Sequence, residues 1–153
     1  MKKVLITGAT SGIGLAISKK MLDMGYSVYG VGRDFSKIDI ASSNFYPIIC
    51  DLIKYQNIED MIKKLKKEVD IDILINCAGV GYFGPHEEIN PTKLHKMIAL
   101  NLEAPLILTQ LLLRDLKKRK GTVINISSIT ATKASTYGCA YSATKAGLVH
   151  FSK

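Results

Sequence analysis

Cysteine is scarce in this sequence, and the three that occur stand far apart with no C-x-x-C pair. Such an odd, scattered set predicts neither a disulfide framework nor a zinc site, and it favours a reducing, cytoplasmic setting. The three histidines show no spacing typical of metal ligands either. We therefore expect no bound metal.

Long apolar runs are also lacking. The longest stretches, 106–108 and 111–113, are separated by Thr109 and Gln110, so none approaches the roughly 20 residues of a membrane-spanning helix. The amino terminus carries lysines but only three consecutive apolar residues before Thr7, too few for the apolar core of a secretory signal. We expect no membrane partner and a cytoplasmic location.

Arginine is rare, because only three of the 21 basic side chains are arginine although the net charge is +8. Proteins that bind nucleic acid favour arginine for bidentate contacts. The two lysine clusters, at 63–67 and 117–120, fall near the ends of predicted helices, where cations complement the helix dipole. The charge therefore favours solvated helix faces and no nucleic-acid partner, with a basic nucleic-acid binder as the weaker alternative.

What is present is enough for one folded domain. The chain has 153 residues, of which 47% are hydrophobic and 22% are charged. This composition excludes intrinsic disorder and a collagen-like repeat. The length is that of about one domain, and it can bury a core without a disulfide or a metal.

Short apolar runs alternate with stretches of helical spacing. The runs that predict strands are 4–6, 27–31, 45–50, 71–75 and 121–126. Helical spacing begins at Ile13, at Ile58 and after the cap Asn90, and a last helix begins near Tyr137. The apolar positions of the first helix are Ile13, Ala16, Ile17, Met21 and Met24. The alternation predicts a doubly wound α/β fold with a parallel sheet of strand order 3-2-1-4-5.

A glycine-rich turn, TGATSGIG at residues 7–14, separates the first strand from the first helix. Glycine lets the backbone approach an anion, and the helix start offers unpaired N–H groups. In this strand–turn–helix context the turn predicts a nucleotide pyrophosphate site. The residues expected to line it are Gly8, Thr10, Ser11, Gly12, Ile13 and Gly14.

This turn resembles the nucleotide loop of the short-chain dehydrogenase/reductase family, and the resemblance extends over nearly the whole chain. The further motifs are Asp51 after strand three, Asn76-Cys77-Ala78-Gly79 after strand four, Asn101 in a helix, Ser127-Ser128 after strand five, and Tyr141-x-x-x-Lys145. Cys77 replaces the second asparagine of the family tetrad. The resemblance implies an NAD(P)-dependent enzyme that interconverts a small-molecule carbonyl and an alcohol. It also implies cofactor contacts from Asp51, Leu52, Asn76, Ala78, Gly79, Tyr141 and Lys145.

The end of strand two bears on which cofactor binds. The acid that selects NAD in the family would align with Gly32, which offers no carboxylate, and Arg33 follows it. Arg33 can form charge-assisted hydrogen bonds with a 2′-phosphate, although pairing with Asp34 would weaken them. The sequence therefore favours NADP(H) over NAD(H).

Four residues are expected to carry the chemistry. Tyr141 and Lys145 stand four apart on a helix and so share one face, where the ammonium favours the phenolate needed for general acid–base catalysis. The family pattern places its serine thirteen residues before the tyrosine, which selects Ser128, and strand alternation gives Ser127 a structural role. In the resemblance, the helix asparagine Asn101 holds water in a proton relay.

The sequence also predicts that the helix containing Asn101 is irregular. Pro105 follows four residues later and has no N–H, so the carbonyl of Asn101 loses its helical partner. A free carbonyl in a kinked helix is a natural site for a water molecule.

The resemblance ends eight residues after Lys145. It implies that residues 1–153 form a dinucleotide-binding domain that is incomplete at its C-terminus, truncated before the sixth and seventh strands of the family. The expectation is an N-terminal part with poor activity alone, and the alternative is a nucleotide-binding fragment without turnover. Strand five would then be an unpaired edge. Family members pair through long helices, which implies a homo-oligomer, either a dimer or a tetramer.

Overall fold

The computed structural model describes all residues from Met1 to Lys153. Its centre is one parallel sheet with the strand order β3-β2-β1-β4-β5, which confirms the predicted order. The strands are β1 (Lys3–Thr7), β2 (Ser27–Gly32), β3 (Phe45–Ile49), β4 (Ile73–Asn76) and β5 (Thr122–Asn125). Their bounds differ from the predicted ones by one or two residues, as element ends commonly do. β5 pairs only with β4, so it is an edge strand as expected.

Five α-helices connect and follow the strands. They are α1 (Gly12–Asp23), α2 (Tyr55–Glu68), α3 (Pro91–Ile98), α4 (Ala104–Lys118) and α5 (Cys139–Phe151). A π-helical turn at Ala99–Glu103 joins α3 to α4, and short 3₁₀ turns lie at His86–Glu88 and Ile129–Ala131. The side chain of Asn90 accepts a hydrogen bond from the backbone N–H of Lys93 at 2.9 Å, which confirms the predicted cap.

The core lies on both faces of the sheet because successive strand residues point to opposite sides. Leu5 faces α2 and α4 together with Leu74, and a chain of aliphatic residues from both helices completes that side. Val4 and Ile6 face the other side, which is smaller and packs against α1. Each fully buried aliphatic side chain contributes about 1.5–3 kcal/mol. These two layers hold the carboxyl ends of the strands at one rim.

The predicted face of α1 is wrong in part. Ile13 and Met24 are 60% and 56% exposed, whereas the buried positions of the helix are Gly14 and Ser18. The reason is a close approach of two backbones, since a Cβ on Gly14 would lie 2.0 Å from the carbonyl oxygen of Gly8. Small residues, not large apolar ones, therefore form the contact of α1 with the turn.

The continuous helix Pro91–Lys118 is long and apolar enough to cross a membrane by length and composition, with a mean hydropathy of 1.4 over its most apolar 18 residues. The expectation that no stretch has this property is therefore wrong. Burial accounts for the composition, because Leu108, Leu112 and Leu116 of this helix lie in the core against the sheet. One such helix is a feature of many domain cores and is weak evidence for a membrane.

Candidate active site

The glycine-rich turn has the backbone shape that an anion site requires. Gly8 and Gly12 have φ angles of +70° and +50°, which side chains rarely adopt. A Cβ on Gly8 would also lie 2.9 Å from the Cα of Ala78, so the turn packs directly on the loop after β4. Ser11 precedes α1 without capping it by its side chain, which leaves the first N–H groups of the helix available.

Two adjoining cavities lie at the carboxyl rim of the sheet. The first has a volume of about 230 Å³ and lies between the ends of β1, β2 and β3, and the second, of about 280 Å³, lies between β1, β4 and α5. The predicted residues in the first cavity are Gly8, Thr10, Ser11, Arg33, Asp51, Leu52, Ala78 and Gly79. Those in the second are Gly8, Ser11, Gly12, Ile13, Gly14, Ala78, Gly79, Tyr141 and Lys145. The rim thus forms one elongated cleft.

Tyr141 and Lys145 lie together on the wall of the second cavity. The Nζ atom of Lys145 is 5.8 Å from the centroid of the Tyr141 ring, and it donates a hydrogen bond to the carbonyl of Ile126 at 3.1 Å. The lysine is only 4% exposed, and this burial lowers its pKa. The site therefore holds a buried lysine beside the tyrosine ring, largely shielded from water.

Arg33 lies exposed at the mouth of the first cavity. The pairing with Asp34 that would weaken a phosphate contact does not occur, because the ion pairs of the structure involve Lys66 and Arg119 only. Asp34 instead accepts a hydrogen bond from the backbone N–H of Ser36 at 2.8 Å, which holds its pKa below the ordinary value. The guanidinium of Arg33 is left without an acidic partner.

A sequence profile described as short chain dehydrogenase matches residues 2–153 of this protein. The chain belongs to the short-chain dehydrogenase family. Its sheet order and the position of its cleft agree with that membership, because ligands of open α/β sheets bind where the strand order reverses.

Individual family members are similar over nearly all of the chain. D-beta-hydroxybutyrate dehydrogenase of Cupriavidus necator is 34% identical over 161 residues, which cover 99% of this chain and 62% of that protein. A probable NADP-dependent dehydrogenase of Haemophilus influenzae is 34% identical, with 97% and 62% covered. The structure of a short chain dehydrogenase from Leptospira borgpetersenii with bound NAD⁺ has a TM-score of 0.90 and 30% identity, with 98% and 62% covered. The chain thus spans about three fifths of their length, 62%.

The two serines after β5 do not lie as expected. Ser127 lines the second cavity and donates a hydrogen bond to the carbonyl of Lys145 at 3.1 Å. Ser128 lines neither cavity, since its Oγ is 3.0 Å from the Oγ1 of Thr130 and accepts from the N–H of Thr130 at 3.3 Å. A hydroxyl two residues along the chain offers a local partner, and Ser128 thereby caps the turn Ile129–Ala131.

Asn101 lies in the π-helical turn and is fully buried. Its Nδ2 donates to the carbonyl of Val80 at 2.8 Å and to the Oγ1 of Thr144 at 3.2 Å, and its Oδ1 accepts from the N–H of Val80 at 2.8 Å. The side chain therefore ties the loop after β4 to α5. It lines neither cavity, so its place is behind the cleft.

Asn76, expected to contact the cofactor, lies instead within the sheet. It is 2% exposed, and its Nδ2 donates to the Oδ1 of Asn125 at 2.8 Å, so it joins β4 to β5. Asn76 is the last residue of β4 and pairs with Asn125 of β5, and the hydrogen bond between the two side chains directs its amide to that neighbouring strand.

Several residues of the cleft were not predicted. The Oγ1 of Thr7 accepts hydrogen bonds from the N–H groups of both Cys77 and Ala78 at 3.0 Å, which fixes the loop after β4. Lys96 lines the first cavity beside Arg33. Thr7 is the last residue of β1 and so marks the rim, but nothing in the spacing of Lys96 indicates that α3 reaches the cleft. No group of three or more potential metal ligands occurs in the structure.

Proposed function

We propose that this protein is an NADP(H)-dependent oxidoreductase that interconverts a carbonyl compound and an alcohol by hydride transfer, with Tyr141 as the general acid and base. The observation that carries the proposal is the second cavity, in which Tyr141 and the buried Lys145 face the glycine turn that begins α1. The glycine-rich turn and a candidate proton donor therefore line the same cavity.

The residues present fit a dinucleotide. Because Gly8 has no side chain, the turn lies close to the loop after β4, and because Gly14 has none, the start of α1 lies directly against Gly8. The uncapped start of α1 offers N–H groups to a pyrophosphate. Asp51 and Leu52 would hold the adenine end in the first cavity. When bound, NADP(H) supplies or accepts the hydride at its nicotinamide ring.

The side chains of the chain then manage the proton. As the hydride adds to the carbonyl carbon, the electron pair of the C=O bond moves to oxygen, and the hydroxyl of Tyr141 donates its proton there; in oxidation the phenolate accepts it back. Rotation of the Ser128 side chain away from Thr130 would let it donate to the same substrate oxygen.

Deuterium labelling tests this reaction. The protein, in the length at which its cell makes it, is incubated with NADPH deuterated at C4 of the nicotinamide and a panel of ketones and aldehydes. We expect deuterium on the carbinol carbon of the product. A second candidate, nucleotide binding without turnover, is favoured by the bond of Ser128 to Thr130. NADPH binding with no labelled alcohol from any carbonyl would support it and contradict the proposal.

The preference for NADP(H) rests on Arg33. Because this guanidinium has no acidic partner at the mouth of the first cavity, it is free to pair with a 2′-phosphate. Arg33→Ala is expected to raise the Kd for NADPH by roughly 10- to 100-fold and to leave the Kd for NADH unchanged. The expected size follows from the loss of about 1.5–3 kcal/mol, which is typical of hydrogen bonds to charged groups.

Titration calorimetry with both cofactors measures this effect. Arg114→Ala is the matched control, because Arg114 is an exposed arginine of α4 that lies outside both cavities. Equal affinities of the unaltered protein for NADH and NADPH would refute the preference.

A homo-oligomer is proposed from the long helix Pro91–Lys118. Ile98, Leu106 and Leu113 are all partly exposed, and their spacing of eight and seven residues places them on one face. Such a stripe is suited to pairing with the same helix of a second copy. Sedimentation should give a dimer or larger species that Leu113→Glu dissociates; a monomer at all concentrations would contradict it.

A further inference from the structure

Phe83 is an exposed aromatic residue beside the proposed proton donor. It follows β4 in the loop whose residues 77–81 line the second cavity, it lies beyond that lining, and it is 61% exposed. Nevertheless its ring lies against the ring of Tyr141, with a centroid separation of 5.3 Å and an angle of 54° between planes. One side of the Phe83 ring is thus in contact with Tyr141, and much of the rest is open.

Two glycines make room for this ring. A Cβ on Gly81 would lie 2.7 Å from Cε2 of Phe83, and a Cβ on the buried Gly138 would lie 3.1 Å from its Cδ1. The first would meet the ring itself, so a side chain at Gly81 would displace Phe83. The position of the ring is therefore built by residues from two different segments.

Hydrogen bonds of the residues on either side of Phe83 hold its backbone in place. The N–H of Gly84 donates to the carbonyl of Tyr137 at 2.8 Å, which ties the loop after β4 to the segment before α5. The N–H of Tyr82 lies 3.4 Å from the sulfur of Met97, a second anchor on the other side of Phe83. An exposed phenylalanine between two anchored neighbours is held in place without being part of the core.

The charge of the second cavity limits what can bind next to Phe83. Lys145 is the one charged side chain that lines this cavity, and its Nζ is turned to the carbonyl of Ile126. A carboxylate or ammonium substituent would therefore find no free counter-charge on this wall. A flat apolar substituent, in contrast, would cover the open part of the Phe83 ring and gain an aromatic contact.

We propose that Phe83 is a specificity-determining residue that selects carbonyl compounds with an aryl group next to the carbonyl carbon. This inference rests on the proposed function, because it is the bond between the substrate oxygen and Tyr141 that brings the substituent over Phe83. The aryl ring stacks on or against the edge of Phe83 while the carbonyl oxygen meets the tyrosine hydroxyl.

The test compares acetophenone with butanone, which keeps the ketone and replaces the aryl group by an alkyl group. We expect the unaltered protein with NADPH to prefer acetophenone in kcat/KM. Phe83→Ala should lower kcat/KM for acetophenone by roughly tenfold or more, mainly through KM, and change that for butanone little. Phe151→Ala is the matched control, because Phe151 is 41% exposed at the far end of α5 and, unlike Phe83, has no ring contact with Tyr141.

A binding measurement separates this inference from the proposed reaction. The Kd of 1-phenylethanol for the protein saturated with NADP⁺ is measured for the unaltered chain and for Phe83→Ala. If Phe83→Ala binds 1-phenylethanol more weakly and Phe151→Ala does not, the aryl site is supported. If, in addition, no carbonyl compound is reduced, the proposed reaction is contradicted but the aryl site is not. No aryl preference in binding or in turnover, or the same loss in Phe151→Ala, overturns the role of Phe83.

Discussion

Lys145 carries the one ammonium in the second cavity, and its burial has a cost for the fold. The side chain is 4% exposed, and its single hydrogen bond to the carbonyl of Ile126 replaces only part of its hydration. Burial lowers the pKa of Lys145, which means that the folded state disfavours the charged form. A charge kept at this position therefore lowers the free energy of unfolding.

The pH dependence of stability tests that cost. The pKa of Lys145 in the folded state lies below the ordinary value of about 10.4. Between these two pKa values the unfolded state binds more protons than the folded state. The free energy of unfolding therefore rises with pH across that window. Below the window the full penalty applies. Lys145→Met is expected to be more stable there, by on the order of 1 kcal/mol, and the difference should vanish as the pH rises through the window.

Urea unfolding at a series of pH values measures the difference. Lys19→Met serves as the control, because Lys19 is an exposed lysine of α1 and its substitution should give no such pH dependence. A Lys145→Met protein that is less stable than the parent near neutral pH would refute the account of the buried charge.

Side-chain direction is what the sequence predicts least well at the scale of single residues. The motifs correctly indicate that Tyr141, Lys145 and Arg33 lie at the rim. They do not reveal that Thr130 offers Ser128 a nearer partner, or that Asn125 holds the amide of Asn76. Such hydrogen bonds depend on which polar groups the folded chain brings within reach, and spacing in the sequence does not record that.

At the scale of elements, the π-helical turn Ala99–Glu103 explains how Asn101 comes to be buried behind the cleft. Pro105 cannot donate to the carbonyl of Asn101, so the regular α-helical bond is lost at this point and a wider turn becomes possible. The widened turn coincides with an asparagine whose side chain reaches Val80 and Thr144.

Pro105→Ala should restore the missing N–H and favour the regular helical register. The side chain of Asn101 would then shift from Val80, and we expect turnover to fall by on the order of tenfold to hundredfold while the Kd for NADPH is unchanged. Steady-state kinetics and hydrogen exchange of the Val80 amide measure this. Pro91→Ala, at the exposed start of α3, is the control, and unchanged turnover with unchanged exchange in Pro105→Ala would contradict the role of the turn.

The elements themselves follow from the sequence because apolar periodicity reflects burial on both faces of the sheet. The buried residues of α2 are those that helical spacing predicts: Ile58, Met61, Ile62 and Leu65. The face of α1 could not be predicted in this way, since Gly14 and Ser18 make its closest contacts and small residues carry no hydropathy signal. The helix Pro91–Lys118 has a strong apolar signal, but composition alone does not distinguish a core helix from a membrane span.

At the scale of the whole molecule, the strand order brings distant segments to one cleft. Gly8 and Tyr141 are separated by most of the chain, yet both line the second cavity, because β1 is the strand from which the two halves of the sheet extend. In the proposed function, the first cavity holds the adenosine half of a dinucleotide and the second holds its nicotinamide half next to Tyr141. The two cavities would then act as one active site.

Tyr141→Phe tests this claim most directly, because it removes one hydroxyl and keeps the ring that packs against Phe83. The measurement is the rate of NADPH oxidation with a carbonyl substrate, together with the Kd for NADPH, in the unaltered protein and in the variant. We predict that turnover falls by about 10²- to 10⁴-fold, as for the loss of a general acid, while the Kd rises by about tenfold at most, because one hydroxyl contact is lost. Full turnover in Tyr141→Phe would contradict the account.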